Sequence, residues 1–287
     1  MKLVLAALVA SALALGSTST ARADADFADS AGDNSGAPDI SDVSVMNDSF
    51  GKISFVLALA DGKDLQADGE ITIVIDSDRD PETGDGGGWD YLLIANGADR
   101  SWSLAHWEVE DFNWDAPSST VQVRLVKGLA VLSINRSDLG NIGAFDFFIS
   151  SAKLDGDEAI ASDTAPEGSD YWSYSLVEKR LSLVTGPVAR APKIAKAGKS
   201  YGIGFVVARS DSPEAITEAT VKCRATIAGK VVAAKGLFVR PAGEITDGVA
   251  ACRLKLPKTA KGKKVQLKVT VTYNGVSTTK SSSTKIR

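Results

Sequence analysis

Residues 70–91 read EITIVIDSDRDPETGDGGGWDY, and the two halves of this stretch follow different rules. Glu70-Ile71-Thr72-Ile73-Val74-Ile75 is an alternating run of apolar and β-branched residues, which predicts a strand. From Asp76 the chain turns to carboxylates and glycine. Asp76, Asp78 and Asp80 take every second position, and Thr83, Asp85 and Asp90 follow across glycines that let the backbone fold back. Carboxylates this crowded repel one another unless a cation sits among them. Oxygen-only donors select a hard ion, and a loose glycine-rich loop suits calcium better than the octahedron of magnesium. The expected site is therefore calcium held by Asp76, Asp78, Asp80, Thr83, Asp85 and Asp90. The run opens like an EF-hand, but Pro81 stands at its sixth position and Gly87 at its twelfth, so a looser turn is expected. The alternative is a solvated acidic loop whose aspartates cap turns, with Arg79 offsetting the repulsion.

Outward from this stretch the pattern repeats as short apolar runs broken by turn residues. These are Ile40–Met46, Ile53–Leu59, Ile71–Ile75, Tyr91–Ala95, Trp102–Val109, Val121–Val126, Leu129–Ile134, Phe145–Ser150 and Trp172–Leu176. Asn47-Asp48, Asp61-Gly62, Asn96-Gly97 and Lys127-Gly128 supply turns, and Ser137-Asp138-Leu139-Gly140 a single helical turn. No long amphipathic helix is present, which predicts an all-β fold of antiparallel sandwich type.

Met1–Ala23 has Lys2, an apolar run from Leu3 to Leu15 broken by Ser11, and an Ala21-Arg22-Ala23 cleavage-like end. This predicts a signal peptide and a secreted or envelope-associated product without a membrane span. No lipobox cysteine follows the apolar run. Residues 24–38, DADFADSAGDNSGAP, are acidic and small and are expected to be a disordered lead-in. Cys223 and Cys252 are the only cysteines, and in an exported chain an isolated pair is expected to form one disulfide.

Charge divides the chain. Asp24–Gly186 holds 10 basic and 31 acidic residues, whereas Pro187–Arg287 holds 20 basic and 5 acidic. The expected domains are an acidic one over 39–178 and a basic one over 179–287. The second carries Val- and Thr-rich runs, Tyr201–Val207, Ala219–Ile227, Lys230–Ala234, Ala250–Leu256 and Val265–Tyr273, with Asn274-Gly275 as a hairpin turn. Both cysteines fall inside such runs, as a bond between two facing sheets requires.

Residues 39–176 resemble secreted bacterial carbohydrate-binding and DOMON-like β-sandwich modules. The resemblance rests on Ile75-Asp76-Ser77-Asp78-Arg79-Asp80 with Thr83-Gly84, Asp90-Tyr91, Trp107 and Trp114, Arg136-Ser137-Asp138-Leu139-Gly140 and Asp163-Thr164-Ala165-Pro166. It implies a non-catalytic module. The C-terminal hundred residues resemble immunoglobulin-like modules of secreted actinobacterial proteins, through Ala197-Gly198-Lys199, Val221-Lys222-Cys223, Gly229-Lys230, Ala251-Cys252-Arg253 and Lys261-Gly262-Lys263. That likeness implies a fold and no activity.

All five tryptophans, Trp89, Trp102, Trp107, Trp114 and Trp172, lie in the acidic domain. Exposed indoles stack on sugars, so Trp102, Trp107, Trp114 and Trp172 are the candidate ligand-binding residues; the ordinary role is core packing. By alternation Trp102, Leu104 and His106 share one face and Ala105, Trp107 and Val109 the other, and pattern does not say which is core. Met46 and His106 are single in the chain after residue 23, one candidate each for haem ligation, as occurs in some DOMON-like domains; the bland reading is packing and hydrogen bonding. No G-x-S-x-G motif accompanies the single histidine. The basic domain scatters its lysines among strands with Tyr201, Phe205, Phe238 and Tyr273 as aromatics, which disfavours nucleic acid and leaves an anionic envelope polymer or an ordinary soluble surface. The expected function is non-catalytic binding of extracellular or envelope glycan with calcium as cofactor. A structural or adhesive envelope role and a glycan hydrolase are the rivals.

Overall fold

The computed structural model describes residues 24–108, 111–114, 120–168, 170–212, 214–240 and 248–287, with backbone alone at 61 and 112–114. The expected signal peptide over residues 1–23 lies outside the described residues. The chain divides into two compact units, with the boundary between Lys179 and Arg180. Each is a β-sandwich, and every strand pairing is antiparallel.

The N-terminal sandwich contains β1 (Ala25–Ala28), β2 (Ile40–Asn47), β3 (Lys52–Leu59), β4 (Gly69–Asp76), β5 (Tyr91–Asn96) and β6 (Trp102–Glu108). It continues with β7 (Asp111–Trp114), β8 (Gln122–Val126), β9 (Leu129–Asn135), β10 (Ala144–Asp155), β11 (Glu158–Ala165) and β12 (Trp172–Ser175). One sheet runs β1-β2-β3-β9-β8. The other, seven-stranded, runs β11-β10-β4-β5-β6-β7 with β12 also on β10. Side chains alternate across a strand, so Ile71, Ile73 and Ile75 of β4 are fully buried between the sheets and Val74 and Asp76 point to the outer face. Phe55 of β3 meets Phe145 and Phe147 of β10 at ring centroid distances of 5.9 and 5.5 Å, joining the two layers.

The acidic lead-in is not the disordered tail expected from its composition. β1 pairs with β2 from Ala25↔Val45 to Ala28↔Asp42, and Phe27 stacks on Trp172 at 5.1 Å and meets Phe147 edge-on at 5.4 Å. Four backbone pairings and one half-buried ring suffice to order a segment otherwise poor in apolar residues. Asp24 adds a polar tie: its Oδ2 lies 2.8 Å from Lys179 Nζ and accepts from Tyr174 OH at 3.0 Å.

The C-terminal sandwich contains β13 (Leu183–Thr185), β14 (Ala189–Ala191), β15 (Ser200–Arg209), β16 (Thr220–Ile227) and β17 (Lys230–Val232). After them come β18 (Lys235–Val239), β19 (Gly248–Lys255), β20 (Lys264–Tyr273) and β21 (Val276–Lys285). One sheet is β13-β15-β19-β18, with β14 also on β15, and the other is β17-β16-β20-β21. With β13 and β14 as a split first strand, this is the first-second-fifth-fourth and third-sixth-seventh arrangement of immunoglobulin domains, with an added strand, β17, beside the third. Cys223 of β16 is bonded to Cys252 of β19, Cα to Cα 5.4 Å, so the disulfide joins the two sheets as expected. It does so between the third and fifth strands rather than the second and sixth used by antibody domains. Tyr201, Phe205 and Val269 fill the core beside it.

Closing this loop, with a sequence separation of 29, restricts the unfolded chain by about 3 kcal/mol. In Cys223→Ala/Cys252→Ala, scanning calorimetry of the full chain should show one domain transition falling by roughly 10–20 °C while the other holds.

Candidate functional site

The turn after β4 is built by its glycines. Gly84 has φ +71°, and a Cβ there would lie 2.5 Å from the carbonyl oxygen of Trp89. The loop therefore closes tightly, with Asp85 N–H donating to Trp89 O at 3.0 Å and Asp90 N–H to Ile75 O at 2.9 Å. Closure brings Asp90 beside the end of β4. Carboxylate oxygens of Asp76, Asp78 and Asp90 all lie within 4.8 Å of one another. Two oxygens on one calcium, each about 2.3–2.6 Å from it, are at most about 5 Å apart, so this donor set fits a hard cation.

Of the six expected ligands, the structure brings together these three. Thr83 Oγ1 instead lies 3.0 Å from Asp78 Oδ1 and 2.9 Å from the carbonyl of Asp80, orienting Asp78. Asp80 Oδ1 accepts from Glu82 N–H at 3.0 Å. Asp85 Oδ1 accepts from Gly87 and Trp89 N–H at 2.8 and 3.0 Å. Asp80 and Asp85 thus hold the loop in shape by accepting from backbone N–H groups two to four residues on, and Thr83 by donating its hydroxyl back to Asp78 and Asp80. Asp90 Oδ2 accepts from Ser77 N–H and Oγ at 2.8 and 2.6 Å. Arg79, at φ +61°, turns to the sheet: its Nε lies 3.1 Å from Asp146 and its Nη2 donates to the carbonyls of Phe145 and Tyr174. Burial raises the Asp76 pKa, opposed by the Arg79 N–H and reinforced by Asp90, Asp78 and Asp146.

Alternation resolves the tryptophans. Leu104 is core and Trp102 packs against it, so Trp102 faces inward. Trp172 is likewise taken up by Phe27 and Phe147, at 5.1 and 5.7 Å. Both rings are half-buried against the core. Trp107 lies half-buried on the outer face, its backbone N–H donating to the Asp90 carbonyl at 2.7 Å. Trp114 belongs to β7 opposite Ala105, and its side chain lies outside the described atoms. Trp89, not among the four candidates, meets Phe148 edge-on at 4.8 Å and Tyr171 at 6.4 Å. Register places Phe148, Val74, Leu92 and Ala105 side by side across β10, β4, β5 and β6. An apolar row thus crosses the outer face, with Val74 and Ala105 buried and Phe148 and Leu92 half-buried, rimmed by half-buried Trp107 and by Tyr171, which is 55% exposed; on β4 it lies two residues from Asp76. His106 is on the inward side, stacked with Tyr91 at 5.7 Å, while Met46 belongs to the other sheet, so the two are not brought together for haem.

Sequence reading missed a second carboxylate group. Oxygens of Asp33, Asp39 and Asp163 lie within 4.8 Å of one another. Asp29 Oδ2 and Asp39 Oδ1 are buried without a hydrogen-bond partner. Burial and the charges of Asp163 and Asp33 push Asp29 up to about 6, and a hydrogen bond to Asp33 leads the rise of Glu167 to about 7. The residues are far apart in sequence, and β10 and β11 bring Asp163 beside the lead-in. The aspartates within the lead-in, read as tail, were the available signal.

No protein-family model matches this chain, and no curated protein does. Among solved structures, a marsupial T cell receptor matches with a TM-score of 0.25 and 10% identity, over 84% of this chain and 94% of its own. A score this low carries no argument about function, and the fold assignment stands on the sheets themselves.

Calcium at about a hundred times its dissociation constant should raise the N-terminal transition by about 5–10 °C over EDTA at matched ionic strength. Asp78→Asn should abolish that rise while leaving the EDTA value unchanged or higher. In EDTA, the penalty of keeping Asp29 ionised in the fold is present above its pKa of about 6 and is relieved as pH falls toward the unfolded value of 3.8. The melting temperature should therefore rise between pH 7 and 5, and Asp29→Asn should reduce the rise.

Proposed function

We propose that this chain is an exported, non-catalytic binding protein whose N-terminal sandwich, steadied by calcium at Asp76, Asp78 and Asp90, holds a neutral polysaccharide. The observation that carries this reading is the aromatic rim of the outer face of the seven-stranded sheet, exposed Tyr171 and half-buried Trp107, set around the row Phe148, Val74, Leu92 and Ala105, of which Val74 and Ala105 are buried. Outer faces of sandwiches are ordinarily polar, and aromatic side chains left open to solvent on one, such as Tyr171, offer a surface for interaction. Sugar rings present apolar C–H faces that stack on aromatic side chains. The nearby carboxylate loop sets the edge of the platform, and the metal's part is to hold Asp90, whose carbonyl receives the Trp107 N–H. Loop closure and platform geometry are thereby linked.

The full chain, with calcium supplied, should be retarded in affinity electrophoresis by at least one neutral polysaccharide among β-glucan, xylan, mannan and dextran. Trp107→Ala should weaken that retention about tenfold, and raising salt from roughly 0.1 to 1 M should change it little, because stacking is not a Coulomb interaction. Retention by none of them would sink the glycan reading in favour of a structural envelope role. Release of reducing ends from a retained polymer would make the protein a hydrolase.

A further inference from the structure

We propose that the outer face of the β17-β16-β20-β21 sheet docks a polyanionic polysaccharide. Residues pointing away from this sheet's buried side include Lys222 and Arg224 of β16, Lys264 and Lys268 of β20, and Lys285 of β21, all exposed. Register sets like charges opposite one another. Arg224 pairs with Lys268, and Lys264 pairs with Lys285. Directly opposed residues in an antiparallel pair have Cα atoms about 5 Å apart, and like charges so placed destabilise the sheet. Nothing in the protein relieves this: among the described residues, no carboxylate stands within ion-pair distance of any of the five. Asp211 and Glu214 answer Arg209 instead.

The rest of the face is hydroxyl and amide. Thr270 and Thr279 are hydrogen-bonded at 2.9 Å and Thr272 and Ser277 at 2.7 Å, forming rungs between β20 and β21. A shallow concavity of about 530 Å³ lies around Gln266, between the Arg224–Lys268 and Lys264–Lys285 pairs, lined by Arg224, Thr226, Gln266, Lys268, Ser281 and Ser283. Rows of cations spaced along strands meet the repeating charges of a polymer, while the hydroxyls and Gln266 exchange hydrogen bonds with sugar hydroxyls. Nucleic acid fits less well, because none of the outward positions of β16, β20 or β21 carries an aromatic ring on which a base could stack. Anion binding supplies the countercharge that the empty face lacks.

The test uses the full chain on immobilised polygalacturonate, dextran sulfate and neutral dextran, with duplex DNA as a competitor. Wild type should be held by a polyanion and not by dextran, and should be released between roughly 0.05 and 0.5 M salt as the charges are screened. Retention by polygalacturonate or by dextran sulfate tells whether carboxylate or sulfate is preferred. Arg224→Gln/Lys268→Gln should weaken binding at least tenfold and flatten its salt dependence, yet leave the C-terminal melting temperature unchanged or raised, since a repulsive pair is gone. Lys264→Gln/Lys285→Gln should act in the same direction and guards against a folding defect in the first variant. Undiminished binding in both variants overturns the proposal, as does DNA displacing the protein at lower charge concentration than either polysaccharide.

Discussion

The two-residue period of β4 governs the N-terminal half of this protein. Ile71, Ile73 and Ile75 are fully buried beneath the facing sheet, and burying three such side chains contributes several kcal/mol, about 1.5–3 kcal/mol each. Shifting the register by one residue would put Val74 and Asp76 in the core and the isoleucines in water. The inward set therefore dictates the outward set, and with it where Asp76 points. Asp90, bonded through its N–H to Ile75 O, inherits its place from the same strand. The carboxylate group and the apolar row are thus both consequences of one packing requirement.

The C-terminal domain divides its labour between layers. Its interior is a conventional apolar core with a disulfide across it, so the outer face of one sheet is free to carry repelling cations. Such a face lowers the stability of the empty domain and is tolerated because the core and the cross-link do not depend on it. Proteins commonly place destabilising charge where it serves recognition. Here the placement follows from β-sheet register.

Much of the architecture was legible in the sequence, and the misses share a cause. The runs at residues 40–46, 53–59, 71–75, 129–134, 201–207, 219–227 and 265–273 became strands because each buries an apolar set on one face. β11, with Ser162, Asp163 and Thr164, and β21, which reads VSTTKSSSTK, escaped notice. Their strand character comes from backbone pairing with β10 and β20 over their whole lengths, not from their own side chains. β1 escaped for the same reason, with Phe27 as its single apolar anchor.

The amino-acid sequence alone determined the all-β class, the charge boundary near residue 180, the cysteine pairing and the anionic loop after β4, because each is a property of local composition or spacing. Tertiary structure decided what those residues do. It chose the inward face of β6, packing Trp102 against the core and placing Trp107 on the outer face. It brought carboxylate oxygens of three of the six candidate ligands, Asp76, Asp78 and Asp90, within 4.8 Å of one another. It also gathered Asp33, Asp39 and Asp163 from segments more than a hundred residues apart. Such choices depend on cross-strand register and on which competing hydrogen bonds close first, and neither quantity is carried by any single stretch of chain.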